Sequence, residues 1–227
     1  MLPDVIIIGD SHCNALQAGC AAHGLRVEML RLSGNFWHAG HVFFHGRHGV
    51  WVKGLSAAQA QILAIRERLG GLSLISAEVP VIASMGYHLG RLVPPFGIHR
   101  HVTDAAGFAA DQGSAYASQA LVEATVDHYR GAHIRMAQRM SRHGNMVLVV
   151  PPRLYPGSSY DRFASAISAR MRAAGVTLFD PSEALFAPDQ GLPPELASGD
   201  GVHGNEAYGA AVVKRLLDQG SIRSRAA

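Results

Sequence analysis

Five short apolar runs alternate with stretches of helical periodicity, and this alternation constrains the fold more than any other feature of the sequence. The first run, Val-Ile-Ile-Ile at 5–8, is β-branched and ends at a glycine, which is typical of a strand buried on both faces. The predicted strands cover residues 5–8, 26–32, 79–84, 146–150 and 176–179. The predicted helices cover residues 13–23, 56–69, 116–143, 161–174 and 205–219. The pattern predicts an α/β fold: a doubly wound, mostly parallel five-stranded sheet with helices on both faces.

Two stretches depart from the alternation. Residues 41–53 hold two aromatic or β-branched runs around a polar centre at 45–49, and they predict a β-hairpin inserted outside the main sheet. Residues 86–115 are rich in Gly, Pro and His and lack a clear period, and a loop of this length in a compact domain is often functional. With 227 residues and no internal repeat, we expect residues 1–227 to form a single domain.

The charge and cysteine content indicate which partners and which cellular compartment to expect for the chain. Twenty basic residues against 17 acidic ones give a net charge of +3 without a basic stripe, so we expect no nucleic-acid partner. Cys13 and Cys20 fall in one predicted helix, too far apart to pair, and reduced buried thiols suit a cytoplasmic protein. The apolar run at 5–8 is too short for a signal peptide or a membrane span, and we expect no membrane partner.

The residues that follow the first predicted strand read Gly-Asp-Ser-His at 9–12. In an open parallel sheet, ligands bind beyond the carboxyl ends of the strands, where these residues lie. Ser11 stands where the chain turns into a helix, and its N–H then lies near a helix N-terminus, a position that stabilises a developing oxyanion. On position alone, a helix N-cap explains Ser11 equally well.

A glycine-rich turn before the last predicted helix holds Asp200 and His203, three residues apart. A carboxylate at this spacing can orient one imidazole nitrogen and leave the other free to take a proton from a serine. A serine nucleophile needs such a base because its hydroxyl is unreactive at its own pKa. Taken alone, the pair is more simply explained as a turn aspartate beside a surface histidine.

Together, Gly-Asp-Ser at 9–11 and Asp-x-x-His at 200–203 resemble the SGNH (GDSL-like) hydrolase family over the whole length of the chain. The resemblance implies a flavodoxin-like α/β fold and a serine esterase that acts, without a cofactor, on small-molecule or carbohydrate esters such as O-acetyl groups. It implies Ser11 as the nucleophile, His203 as the general base and Asp200 as its orienting partner. If a sugar hydroxyl replaced water as the acceptor, the same triad would make the protein a glycan acyltransferase.

The middle blocks of the family pattern match less closely. The resemblance implies that Gly34 supplies a backbone N–H to the oxyanion hole. The family's Gly-x-Asn block corresponds to Gly86 and the two residues after it, so that His88 stands where an asparagine is expected. A neutral imidazole can donate one hydrogen bond, so His88 could keep that role; alternatively Asn35 supplies the donor, or the hole has backbone donors only.

Four histidines in one short window, His38, His41, His45 and His48, raise the alternative of a metal site. No acidic residue lies among them and they lack paired ligand spacing, so a polar hairpin is the simpler interpretation and we expect no metal; His38 or His41 could still line the substrate crevice. Asp-x-His at 10–12 also resembles the first motif of binuclear-metal phosphoesterases, but the later motifs of that class are missing. A non-catalytic binding domain on the same fold is the last alternative.

Overall fold

The structure is a computed structural model that describes residues 1–54, 56–93, 101–102, 115–187 and 189–223. The strands are β1 (Val5–Gly9), β2 (Val27–Arg31), β3 (Val42–His45), β4 (Gly49–Val52), β5 (Val81–Ser84), β6 (His101–Val102), β7 (Ala115–Tyr116), β8 (Met146–Val149) and β9 (Leu178–Phe179). The helices are α1 (Cys13–Ala22), α2 (Gly34–His38), α3 (Ser56–Arg68), α4 (Leu89–Leu92), α5 (Gln119–His143), α6 (Ser159–Ala173), α7 (Pro181–Leu185) and α8 (Glu206–Asp218), and a 3₁₀ turn covers Pro194–Leu196.

Five strands form the main sheet in the order β2-β1-β5-β8-β9, and every neighbouring pair is parallel. The chain passes from β1 to β2 at one edge and then returns to β5 on the other side of β1. The carboxyl ends of β1 and β5 therefore meet at a topological switch point, where open α/β sheets bind their ligands. The predicted α/β sheet is confirmed, and its strands are parallel throughout.

Helices cover both faces of the sheet because alternate strand residues point to opposite sides. Ile6 and Ile8 of β1 face a core formed with α3, α5 and α6. Val5 and Ile7 face a second core formed with α1 and α8. Two buried layers of this kind explain why the strands read as continuous apolar runs in place of an alternating pattern.

Several element boundaries differ from the predicted ones for local reasons. The predicted strand at 79–84 begins at Val81, since Pro80 has no N–H to donate to a neighbouring strand. The predicted helix at 116–143 begins at Gln119, after an N-cap in which Ser118 Oγ accepts from the Leu121 N–H. The helix predicted from 161 begins earlier, at Ser159, because a serine cap at 158 sets its start.

The predicted hairpin is confirmed as the antiparallel pair of β3 and β4. Phe44 and Val50 are buried in the first core, whereas Phe43 and Trp51 on the opposite face are exposed. Of the long loop predicted at 86–115, the structure describes residues 86–93, which include α4, and the short parallel pair of β6 and β7; residues 94–100 and 103–114 lie outside the described residues. No helix within the described part of the chain is long and apolar enough to cross a membrane.

Candidate active site

Ser11, His203 and Asp200 form a continuous hydrogen-bonded line. Ser11 Oγ lies 2.7 Å from His203 Nε2, and His203 Nδ1 lies 2.6 Å from Asp200 Oδ2. When His203 donates its Nδ1–H to the carboxylate, Nε2 is left unprotonated and accepts the hydroxyl proton of Ser11. The geometry therefore places the base His203 next to the Ser11 hydroxyl, and the anion Asp200 next to the other nitrogen of His203, which it orients.

Close packing of α1 against α8 brings the two halves of this line together. Ser11 lies just before α1 and His203 just before α8, although 192 positions separate them. The two helices touch through glycines: a Cβ on Gly209 would lie 1.8 Å from Ala15 O, and one on Gly19 would lie 2.1 Å from Gly209 O. Only glycine allows this approach, so the helix contact fixes the distance between Ser11 and His203.

The second oxygen of Asp200 is saturated with donors. Its Oδ1 accepts from Ser198 Oγ at 2.5 Å and from the backbone N–H groups of Val202 and His203 at 2.9 and 3.0 Å. The Ser198 hydroxyl is the main cause that holds the pKa of Asp200 below its ordinary value, followed by these backbone donors. Asp200 is thus ionised over the whole neutral range. Ser198 was missed in the sequence, where its only signal is a serine two residues before the aspartate in a turn.

His12 packs against the imidazole of His203, with ring centroids 4.6 Å apart. Burial is the main cause, and the adjacent His203 a smaller one, that lowers the pKa of His12 to about 3. His12 is therefore neutral at physiological pH, and it offers His203 a flat, uncharged surface instead of a second base.

Ser11 and His203 line a cleft of about 850 Å³, which lies at the carboxyl ends of the strands of the main sheet. Residues that follow each of the five strands contribute to its wall, as expected for a ligand site in an open parallel sheet. The far wall comes from the loop before α6, from one face of α6 and from the start of α7. Its members include Tyr155, Tyr160, Asp161 and Ser168.

Three of the four candidate oxyanion residues reach this cleft: Gly34, Asn35 and His88. Neither the backbone N–H of Ser11 nor that of Gly34 donates to another residue among those described. The Asn35 side chain is exposed. Gly86 does not line the cleft, because a Cβ there would point instead at Met171 Cε, 3.0 Å away.

The hairpin histidines lie elsewhere. His38 Nδ1 is 3.3 Å from Nη1 of the buried Arg130, and the rings of His45 and His48 stack on each other with centroids 4.9 Å apart. Neither His38 nor His41 is among the described residues that line the cleft, since α2 turns His38 toward α5. Within the described ranges, no three His, Cys, Asp or Glu side chains are placed as a set of metal ligands.

No family model and no curated protein matches this chain. Solved structures are similar to it, and three of them follow. A GDSL-like lipase from Bacteroides thetaiotaomicron is 15% identical, with 96% of this chain and 86% of that chain covered and a TM-score of 0.45. LAE5, an alpha/beta hydrolase enzyme from the metagenome of Lake Arreo, is 17% identical, with 97% and 96% covered and a TM-score of 0.47. Axe2, an acetylxylan esterase from Geobacillus stearothermophilus, is 13% identical, with 97% and 96% covered and a TM-score of 0.40.

At these identities and TM-scores, a function for the chain is inferred from the geometry of its own residues.

Proposed function

We propose that the chain is a serine esterase of the SGNH type that hydrolyses small acyl esters, including O-acetyl groups on carbohydrate. The observation that carries this proposal is the hydrogen-bonded line of Ser11, His203 and Asp200 at the mouth of a cleft. A serine that merely capped a helix would not need a histidine base, and a surface histidine would not need a carboxylate saturated with donors.

The reaction proceeds by two acyl transfers. His203 Nε2 takes the Ser11 proton while Ser11 Oγ bonds to the ester carbonyl carbon; His203 then returns that proton to the departing alcohol oxygen as its bond to carbon breaks. In the second half, His203 deprotonates a water molecule as the water oxygen bonds to the acyl carbon. His203 then returns that proton to Ser11 Oγ as the bond between Oγ and the acyl carbon breaks, which releases the acid and restores Ser11. Asp200 stabilises the imidazolium form of His203 in both halves.

The oxyanion of each tetrahedral intermediate accepts from the N–H groups of Ser11 and Gly34, which are free to donate, and from the Asn35 side chain on the cleft wall. Donors that already point at the site need no reorganisation during the reaction, and this makes them effective.

The size and the lining of the cleft favour a substrate whose alcohol part is large and polar. Its volume of about 850 Å³ is near the upper end of ordinary ligand pockets, and an acetyl group fills a small fraction of it. Tyr155 and Tyr160, whose ring centroids lie 6.4 Å apart, together with Asp161, supply aromatic and polar surface on the far wall. Aromatic faces and hydrogen-bonding side chains suit a sugar better than a long alkyl chain.

Hydrolysis of p-nitrophenyl acetate and of an O-acetylated sugar by the purified chain tests this proposal. We expect turnover of both substrates, and the rates should not change when a metal chelator is added, because serine attack needs no metal. A chain that hydrolyses neither ester, or whose activity disappears with the chelator, contradicts the proposed mechanism and favours the binding-domain or phosphoesterase alternative.

Ser198→Ala is expected to lower kcat for p-nitrophenyl acetate by about threefold to tenfold at neutral pH, the usual net effect of one hydrogen bond, since two backbone donors to Asp200 remain. The pKa of Asp200 rises when this donor is lost, so the deficit should grow as the pH falls. A pH profile of kcat for both proteins measures this. A deficit that shrinks toward acid pH would mean that Ser198 does not act through the carboxylate.

His12→Leu is expected to keep kcat within about threefold of the wild-type value, since His12 offers an uncharged packing surface that a leucine can replace. His12→Lys should lower kcat much more, because an ammonium group beside His203 disfavours the imidazolium that forms during the reaction. Steady-state kinetics of the two variants check this. Equal losses in both would indicate that His12 transfers a proton itself.

A further inference from the structure

A second aspartate–histidine pair lies beneath Ser11, and the proposed mechanism does not use it. Asp10 Oδ2 is 3.2 Å from His88 Nδ1, and the two side chains are only 8% and 5% exposed. The other oxygen of Asp10 accepts from the backbone N–H of His12 at 3.0 Å. The Asp10 carboxylate thus connects His88 to the turn that carries Ser11.

The protonation state of this pair follows from its burial. Burial raises the pKa of Asp10 to about 6 and lowers the pKa of His88 to about 3, so at neutral pH the carboxyl group is ionised and the imidazole is neutral. A neutral imidazole can donate to that carboxylate only when its single proton is on Nδ1. The Nε2 of His88, which is buried and has no hydrogen-bond partner among the described residues, then carries a lone pair. In this state His88 has no N–H to offer an oxyanion.

The backbone of His88 is also held in place by its neighbours. Its φ of 43° and ψ of 49° lie in the left-handed region, which a residue other than glycine occupies only when its surroundings hold it there. Arg130, fully buried in α5, supplies that support: its Nε donates to Tyr87 O at 2.9 Å and its Nη2 to His88 O at 3.2 Å. His88 therefore lies between a buried guanidinium on its backbone and a buried carboxylate on its ring.

His88 also packs against the second oxyanion donor. A Cβ added to Gly34 would lie 3.3 Å from His88 Nδ1, so the start of α2 rests on the same edge of the imidazole that contacts Asp10. One ring thereby contacts both segments that line the cleft with N–H groups of the proposed oxyanion hole, the Ser11 turn and the Gly34 turn.

We propose that His88 is a positioning residue, whose Nδ1–H bond to Asp10 holds the Ser11 and Gly34 turns at the spacing that the oxyanion needs, and that Asn35 supplies the side-chain donor to the oxyanion. The inference rests on the esterase function proposed above. It gives His88 a different task from the asparagine that the family pattern places at this point.

Three variants test the separate roles assigned to His88 and Asn35. His88→Gly keeps the left-handed backbone and removes the imidazole, and we expect kcat to fall about 10- to 100-fold with little change in KM. His88→Asn, which also tolerates this backbone and can donate an amide N–H to Asp10, should recover most of that loss.

Asn35→Ala should lower kcat by about 10²- to 10³-fold, the cost of one oxyanion donor. Wild-type kcat in Asn35→Ala would overturn the inference.

The split between KM and kcat and the rescue by His88→Asn distinguish positioning from a general structural role. Loss of positioning lowers kcat and leaves KM nearly unchanged, whereas a distorted cleft raises KM as well and is not rescued by an asparagine. Thermal unfolding of each variant shows whether it is folded. A His88→Asn protein as slow as His88→Gly contradicts the role assigned to the bond.

Nitrogen-15 NMR of the histidines in the wild-type chain needs no activity at all. We expect His88 to be neutral with its proton on Nδ1 at neutral pH, and a proton on Nε2 would overturn the inference. If the chain hydrolyses no ester but shows the Nδ1 proton, the esterase proposal fails and the Asp10–His88 bond stands. If it hydrolyses esters with the proton on Nε2, this inference fails and the esterase proposal stands.

Discussion

Ser11→Ala is expected to lower kcat for p-nitrophenyl acetate by on the order of 10⁴-fold or more, down to the level that binding and the remaining oxyanion donors support. The loss is large because the Ser11 hydroxyl, whose oxygen lies 2.7 Å from His203 Nε2, forms the covalent intermediate. Water would have to attack the ester directly, without the two easier steps that the acyl-enzyme provides. Stopped assays over long times measure the residual rate.

The control for this variant is its stability. Ser11 is exposed, and its side chain donates only to His203, so the unfolding midpoint of Ser11→Ala should stay close to that of the wild type. A folded Ser11→Ala protein that hydrolyses the ester at the wild-type rate would show that another residue is the nucleophile.

Asp200→Asn has the second largest expected effect, on the order of 10⁴-fold in kcat. The asparagine keeps the shape of the turn but carries no charge to stabilise the imidazolium of His203. Its amide can also donate to Nδ1, and the proton of the neutral imidazole then moves to Nε2, where it faces Ser11 and blocks proton abstraction. Steady-state kinetics across a range of pH measure the loss.

Asp127→Asn is the matched control for Asp200→Asn. Asp127 is an exposed carboxylate that pairs with Arg170 on the surface, far along the chain from the triad, and it undergoes the same chemical change. We expect its kcat to equal that of the wild type, because surface ion pairs contribute little even to stability. Equal kcat in Asp200→Asn and the wild type would contradict the role of Asp200 as the orienting anion.

The features that could be predicted from the sequence are those encoded within a few neighbouring residues. The β-branched run at 5–8 indicates a buried strand because its whole length is apolar, and the sheet confirms it. Asp200 and His203 share one turn, so their pairing follows from a spacing of three residues. Ser11 could be joined to them only through the resemblance, since no local rule connects positions 192 residues apart.

The features that could not be predicted depend on contacts between distant segments. The contact between Asp10 and His88 joins the segments that follow two neighbouring strands, β1 and β5, and neither residue carries a local sign of the other. The far wall of the cleft comes from the face that α6 presents, which depends on how the helix packs on the sheet. Gly86 illustrates the same limit: its position in the family block suggests the cleft, but its left-handed φ of 89° turns it toward the core.

Covalent labelling of the wild-type chain with a fluorophosphonate tests the central claim, that His203 and Asp200 activate Ser11 as a nucleophile. Intact mass and peptide mapping should show one adduct on the wild-type chain, located at Ser11. They should show none on Ser11→Ala and greatly slowed labelling of Asp200→Asn. An adduct on another residue, or an unlabelled Ser11 in a chain that hydrolyses esters, would contradict the account.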